Sequence, residues 1–135
     1  MAKVSFYLFE TSEEWQVDSA CRLCRKILLK HSQIWWYCPD VQLQQTLDEK
    51  LWSFDPTSFI AHGVDQVDAA VCISAKQPSE QGWLVFNFNN HALEQVDHFS
   101  HIIEIVENNE AAKQIGREKF KMYRRLGIEP RTFKL

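Results

Sequence analysis

A three-layer α/β domain, with helices packed on a mostly parallel sheet that becomes mixed toward its end, is the fold class this sequence predicts, and three observations carry it. Short runs rich in β-branched and aromatic residues alternate with longer stretches in which apolar residues recur every three or four positions. Several of the short runs are continuously apolar, as in strands covered on both faces. The chain has 135 residues, 45% of them hydrophobic. That is enough for one domain over residues 1–135 that buries about two-thirds of its unfolded surface, and no repeat or linker divides it.

Val4 to Phe9 is the first such run and predicts a strand. Thr11 and Glu14 then have the spacing of a capping box, in which each side chain satisfies a free first-turn N–H. The helix that follows places Val17, Ala20, Cys21, Cys24, Ile27 and Leu28 on one stripe, with Arg22, Arg25 and Lys26 mostly outside it. Gln33 to Cys38 (QIWWYC) is short and rich in strand formers, and Pro39-Asp40 ends it. A second helix is expected from about Asp40, with Leu43, Leu47 and Leu51 as its four-residue repeat. Asp55-Pro56 breaks that helix. Thr57 to His62 reads as a third strand or a partly exposed extended segment, and Val67 to Ser74 as a fourth strand. Pro78 and Gly82 mark a turn, so Trp83 to Phe88 is expected to return antiparallel. A helical turn within His91 to His98 and a strand over Ile102 to Val106 complete the order before the last helix.

That last helix is Asn109 to Gly127, NEAAKQIGREKFKMYRRLG. Asn108 or Asn109 is placed to cap it, Glu110 sits in the favourable first turn, and Gly127 is free to turn left-handed and end it. Ala112, Ile115, Met122 and Leu126 form the stripe expected to pack inward. Arg117, Phe120, Lys121 and Arg124 fall at i, i+3, i+4 and i+7, which puts three cations and a ring on another face. Of the chain's 15 basic and 18 acidic residues, eight and two lie between Ala111 and Leu135, leaving seven and 16 before them. The net charge of −3 thus hides a positive balance from Ala111 onward and a negative one over the residues before it. With pI near 5.9, general affinity for nucleic acid is not implied. Arginine holds a carboxylate through two parallel bonds, so the basic face suits an acidic chain end with an apolar part. The bland alternative is a solvated helix face.

Catalytic motifs are missing. The glycines at 63, 82, 116 and 127 are scattered, so no glycine-rich phosphate loop or nucleophile elbow is present. Cys21 and Cys24 form a CxxC, but on the apolar stripe of a helix and without a second pair, which favours small buried hydrophobes over a redox or zinc site. His98 and His101 lack a metal-site signature. No cofactor, metal or catalytic residue is therefore expected. The rival readings are a nucleotide- or thiol-dependent enzyme and direct binding of single-stranded DNA. Trp35, Trp36 and Tyr37 are expected in the core rather than on a base-stacking platform. Trp52, Phe54 and Phe59 cluster around the Asp55-Pro56 break, where bulky apolar groups suit a protein interface as well as a small satellite core. No run nears the roughly 20 apolar residues of a membrane span. The N-terminus lacks the layout of a secretory signal, and a cytoplasmic location is expected.

The segments VSFYLFE, LDEKLWSFDPTSFIAHG and REKFKMYRRLG, in this order and spacing, resemble the chi subunit family of the bacterial DNA polymerase III holoenzyme, across essentially the whole chain. The resemblance implies a noncatalytic accessory of the clamp loader, with a fold like nucleotide-binding domains but no phosphate loop. One surface would bind the psi subunit. Another would bind the acidic, hydrophobic C-terminal tail of single-stranded DNA-binding protein (SSB), so that nucleic acid is reached only indirectly. Carried over by position, the tail site comprises Val106, Ile115, Arg117, Phe120, Lys121 and Arg124, and the psi site includes Trp52 and Phe59. A DinG-like helicase is a further implied partner, competing with psi. Phe120 stands where the family often has tyrosine, which removes a hydroxyl and keeps the ring. Ala61 stands where proline is common.

Overall fold

A computed structural model describes residues 3–9, 16–53 and 61–134. Strand β1 (Lys3–Leu8) is followed by α1 (Gln16–Ile27), β2 (Ile34–Tyr37), α2 (Val41–Ser53), β3 (His62–Val64), β4 (Val71–Ser74), β5 (Trp83–Asn87), a single 3-10 turn (Val96–His98), β6 (Phe99–Val106), α3 (Glu110–Arg125) and β7 (Arg131–Lys134). The strands form one sheet in the order β3-β4-β2-β5-β6-β1-β7, and every neighbouring pair is parallel. The α/β class and the three layers expected from the sequence are therefore observed.

The antiparallel return expected of Trp83 to Phe88 is not. Strand β5 runs parallel to both β2 and β6, because the Lys76 to Gly82 segment carries the chain back to the other end of the sheet instead of closing a hairpin. The third strand is His62–Val64, with Thr57 to Ile60 outside the described residues. The capping box of Thr11 and Glu14 and the Asp55-Pro56 break also lie outside them. Strand β7, in a stretch with no apolar pattern, was not anticipated.

Side chains alternate across the sheet, so each strand feeds two cores. Ile34, Trp36, Ile73, Phe86 and Ile103 pack on one face with Ala20, Cys21 and Cys24 of α1 and Leu47 and Leu51 of α2. Val4, Phe6, Trp35, Cys72, Val85 and Ile102 pack on the other with Tyr123 of α3, Val96 of the 3-10 turn and Ile128. Trp35 and Trp36 are thus core residues, as the bland reading held. Helix α2 begins where Asp40 Oδ1 accepts the Gln42 and Leu43 N–H groups at 3.0 and 3.4 Å. No helix among the described residues is long and apolar enough to cross a membrane.

The order of strands fixes where a crevice opens. Strand β1 pairs with β6 in parallel, Lys3 opposite His101 through Leu8 opposite Val106. From β1 the chain passes over β6 and β5 to reach β2, whereas from β6 it passes over β1 to reach β7. Connections that leave neighbouring strands in opposite directions separate at the strands' carboxyl ends, the position where open α/β sheets hold ligands.

Candidate functional site

Helix α3 forms one wall of that crevice, and the local sequence explains its placement. Asn109, in extended backbone, caps it by accepting the Ala112 N–H at 2.8 Å, with Glu110 in the first turn, and Gly127 follows its end at φ +89°. Its inward stripe differs from the expected one. Gly116, Lys119 and Tyr123 are buried, Ala112, Ile115 and Met122 are half-buried, and Leu126 is exposed. A Cβ on Gly116 would stand 2.9 Å from Val106 Cγ2, so the missing side chain is what lets the helix approach the end of β6.

Beneath the helix lies a buried polar cluster that hydropathy patterning missed. Glu104, 1% exposed, accepts hydrogen bonds from Lys119 Nζ at 2.8 Å, Tyr123 Oη at 2.6 Å and Asn87 Nδ2 at 2.7 Å. Tyr123 Oη in turn accepts the Leu93 N–H at 3.2 Å. Burial, and then the Glu104 charge, push the Tyr123 phenol well above its ordinary pKa, so it stays a protonated donor. A buried carboxylate with this many partners is satisfied and fixes the helix over the sheet. Lys119 and Tyr123, four apart in REKFKMY, were the signal available in the sequence.

The crevice is a cavity of about 480 Å³ lined by Phe6 and Leu8 of β1 and Phe9 after it, Val106 of β6 and Glu107 after it, Glu110, Lys113, Gly116, Arg117 and Phe120 of α3, and Thr132 of β7. Phe120 packs on Phe6, ring centroids 5.4 Å apart, and Phe6 meets Tyr123 edge-on at 5.9 Å. The floor is therefore apolar and rigidly seated. Lys113 and Arg117 stand beside Glu107 and Glu110. Arg117 donates to Gln114 Oε1 at 3.2 Å and lies 3.9 Å from Glu110, an exposed pair of small worth.

Three of the residues singled out from the sequence, Val106, Arg117 and Phe120, thus meet at one cavity. Ile115 does not join them there. With Val106, Ala112 and Lys119 it lines a second cavity of about 270 Å³ at the ends of β2 and β5. Lys121 and Arg124 lie farther along the exposed side of α3, 3.8 Å from Glu118 and 3.5 Å from Glu129 respectively. Lys113, which sequence reasoning had only counted among the cations, lines the cavity one turn before Arg117. On the far side of the sheet, Trp52 is 57% exposed and its ring rests 4.7 Å from that of His62. Phe59 lies outside the described residues.

The other candidate chemistry is occupied by structure. Cys21, Cys24, Cys38 and Cys72 are buried and unbridged. Burial raises all four thiols, Cys21 to about 12 and Cys38 and Cys72 to about 11, which keeps them protonated and unreactive. His98 Nε2 is 2.8 Å from the Pro78 carbonyl and His101 Nε2 is 2.8 Å from Ser5 Oγ, so the two imidazoles serve different contacts. Burial, and then Lys3, lower the His101 pKa. Among the described residues no group of three His, Cys, Asp or Glu side chains is arranged to hold a metal.

Fold and crevice together define an α/β protein that keeps the ligand position of nucleotide-binding sheets while its sequence carries no phosphate loop. The chain belongs to the family described as DNA polymerase III chi subunit, HolC, whose model matches residues 1–131. It is 30% identical to the DNA polymerase III subunit chi of Pseudomonas aeruginosa, the match covering 94% of this chain and 92% of that protein. It is 27% identical to the subunit of the same name from Haemophilus influenzae, with 94% of each covered. Membership makes this chain a DNA polymerase III subunit and DNA replication its process.

Proposed function

We propose that this protein is a noncatalytic bridge that ties the clamp loader, through a psi subunit, to the acidic C-terminal tail of SSB. The observation that carries the reading is the crevice at the ends of β1 and β6, where Phe6, Val106 and Phe120 give an apolar floor and Lys113 and Arg117 stand at its rim. An apolar terminal side chain fills the floor, and its carboxylate takes Arg117 from Glu110, at little cost because that pair is exposed. Lys121 and Arg124 then meet acidic residues upstream in the tail. Ile115 supports the site from behind, through the shared neighbour Val106. Trp52, exposed on the opposite side of the sheet, is the anchor for psi, with Phe59 its companion by sequence. The separation of the two surfaces suits a protein that holds both partners at once.

Titration of a tail peptide against the protein tests the assignment. Arg117→Ala is expected to weaken binding by about 1.5–3 kcal/mol, the range of a lost charge-assisted hydrogen bond, and Lys121→Ala by less. Trp52→Ala is expected to leave peptide affinity unchanged and to reduce association with psi. Unchanged peptide affinity in Arg117→Ala would remove the site, and equal loss of both activities in Trp52→Ala would make Trp52 a structural residue.

A further inference from the structure

Arg117 is already held when a ligand reaches it. Its Nη1 donates to Gln114 Oε1 at 3.2 Å, and its Nη2 lies 3.9 Å from Glu110 Oε2. Gln114 is fixed in turn, donating to Glu118 Oε1 at 3.2 Å. The pairing with Glu110 has an unusual span. Side chains that meet on a helix surface are ordinarily three or four residues apart, whereas these two are seven apart, about 10.5 Å along the axis. Both must extend toward each other across the intervening turn. Both also line the crevice, so the pair is stretched along the wall that α3 gives it.

Charge in the crevice is balanced as a result. Its lining holds two cations, Lys113 and Arg117, and two carboxylates, Glu107 and Glu110. An anion arriving from solvent therefore meets little net attraction there and has to compete with a carboxylate that never leaves. A tethered competitor acts at an effective concentration on the order of millimolar, which a carboxylate arriving alone does not match. One delivered by a chain end whose apolar side chain is seated on Phe6 and Phe120 is held locally too, and competes on equal terms. We infer that Glu110 is an internal competitor for Arg117: it occupies the guanidinium in the unbound protein, sets the threshold an acidic chain end must exceed, and takes the guanidinium back when that end leaves. Gln114 is the positioning residue, since Nη1 keeps its bond there while Nη2 changes partner. Glu110 plays this part only within the proposed function, which it deepens by making capture at the crevice weaker and more reversible than the cations alone would allow.

Titration of one peptide, two aspartates followed by two apolar residues and a free carboxylate, against the wild type, Glu110→Gln, Arg117→Ala and the double variant tests it. Glu110→Gln is expected to bind about two- to fivefold more tightly, the scale of one exposed ion pair removed from the unbound state. The gain is expected to vanish in the Arg117→Ala background, because a competitor acts only through the group it occupies. Glu110→Gln is also expected to lower the thermal midpoint slightly, since a carboxylate in the first turn favours the helix. Tighter binding by a less stable protein is a result that a merely structural role would not give. An equal gain with and without Arg117 makes Glu110 a distant charge and overturns the inference. No gain, or weaker binding, in Glu110→Gln does the same and leaves the crevice standing. Failure of the crevice reading looks different: the peptide then binds Arg117→Ala as well as it binds the wild type, or binds neither, and the role of Glu110 falls with it.

Discussion

Lys119 shows how far one side chain can depart from what its type suggests. Lysine is almost never fully buried without a partner, yet Lys119 is 8% exposed because its ammonium meets Glu104 at 2.8 Å. Removing one member of such a pair leaves an uncompensated buried charge, which costs about 3–5 kcal/mol. Lys119→Met is therefore expected to lower unfolding stability in urea by that order. The double variant Glu104→Leu, Lys119→Met should be less destabilised than Lys119→Met alone, since no orphaned carboxylate remains. A double variant no better than the single one would mean that Tyr123 and Asn87, not the lysine, hold Glu104. Sequence reading passed over this cluster because it weighs residues by hydropathy, and a buried ion pair has the hydropathy of a surface. Arg117 and Phe120 were legible for the opposite reason. Their types and their spacing of three already describe a charged, partly apolar face.

For the helix as a unit, α3 was legible in extent and misplaced in rotation. Asn109 and Gly127 delimit it through capping and left-handed backbone, which are local effects. Its inward stripe passes through Gly116 and Lys119, neither of which scores as apolar, so Ala112, Ile115, Met122 and Leu126 suggested a rotated face. Gly116→Ala is the corresponding test. Its Cβ would stand 2.9 Å from Val106 Cγ2, and overpacking of this kind costs about 1–3 kcal/mol, offset by up to about 1 kcal/mol of helix propensity. A small net loss of stability is expected, together with weaker tail-peptide binding, because Val106 must shift within the crevice wall. Unchanged affinity would show that the wall tolerates the displacement. The direction of β5 and the existence of β7 escaped for a different physical reason. Turn residues mark where a strand stops and not which end of the sheet the chain re-enters, and Arg131 to Lys134 forms an exposed edge strand that has no apolar face to reveal it.

Over the whole molecule, the two-signed charge distribution survives folding. Pairing of Lys119 with Glu104 withdraws one charge from each sign and leaves Lys113 and Arg117 at the crevice, with Lys121 and Arg124 farther along the exposed side of α3. Attraction between exposed charges is screened over about 10 Å at 0.1 M salt, so affinity for an acidic peptide is expected to fall steadily as salt rises from 0.05 to 0.5 M. Binding insensitive to salt would place the affinity in the apolar floor alone. The pairing of β1 with β6 bears on how the chain is made. Ser5 and His101, hydrogen bonded across that pair, are 96 residues apart, so β1 leaves the ribosome well before the strand that will flank it exists. Contacts of such long sequence separation slow folding. During translation β1 is an unsheltered apolar segment until β6 is made, and over that interval chaperone capture competes with completion of the fold.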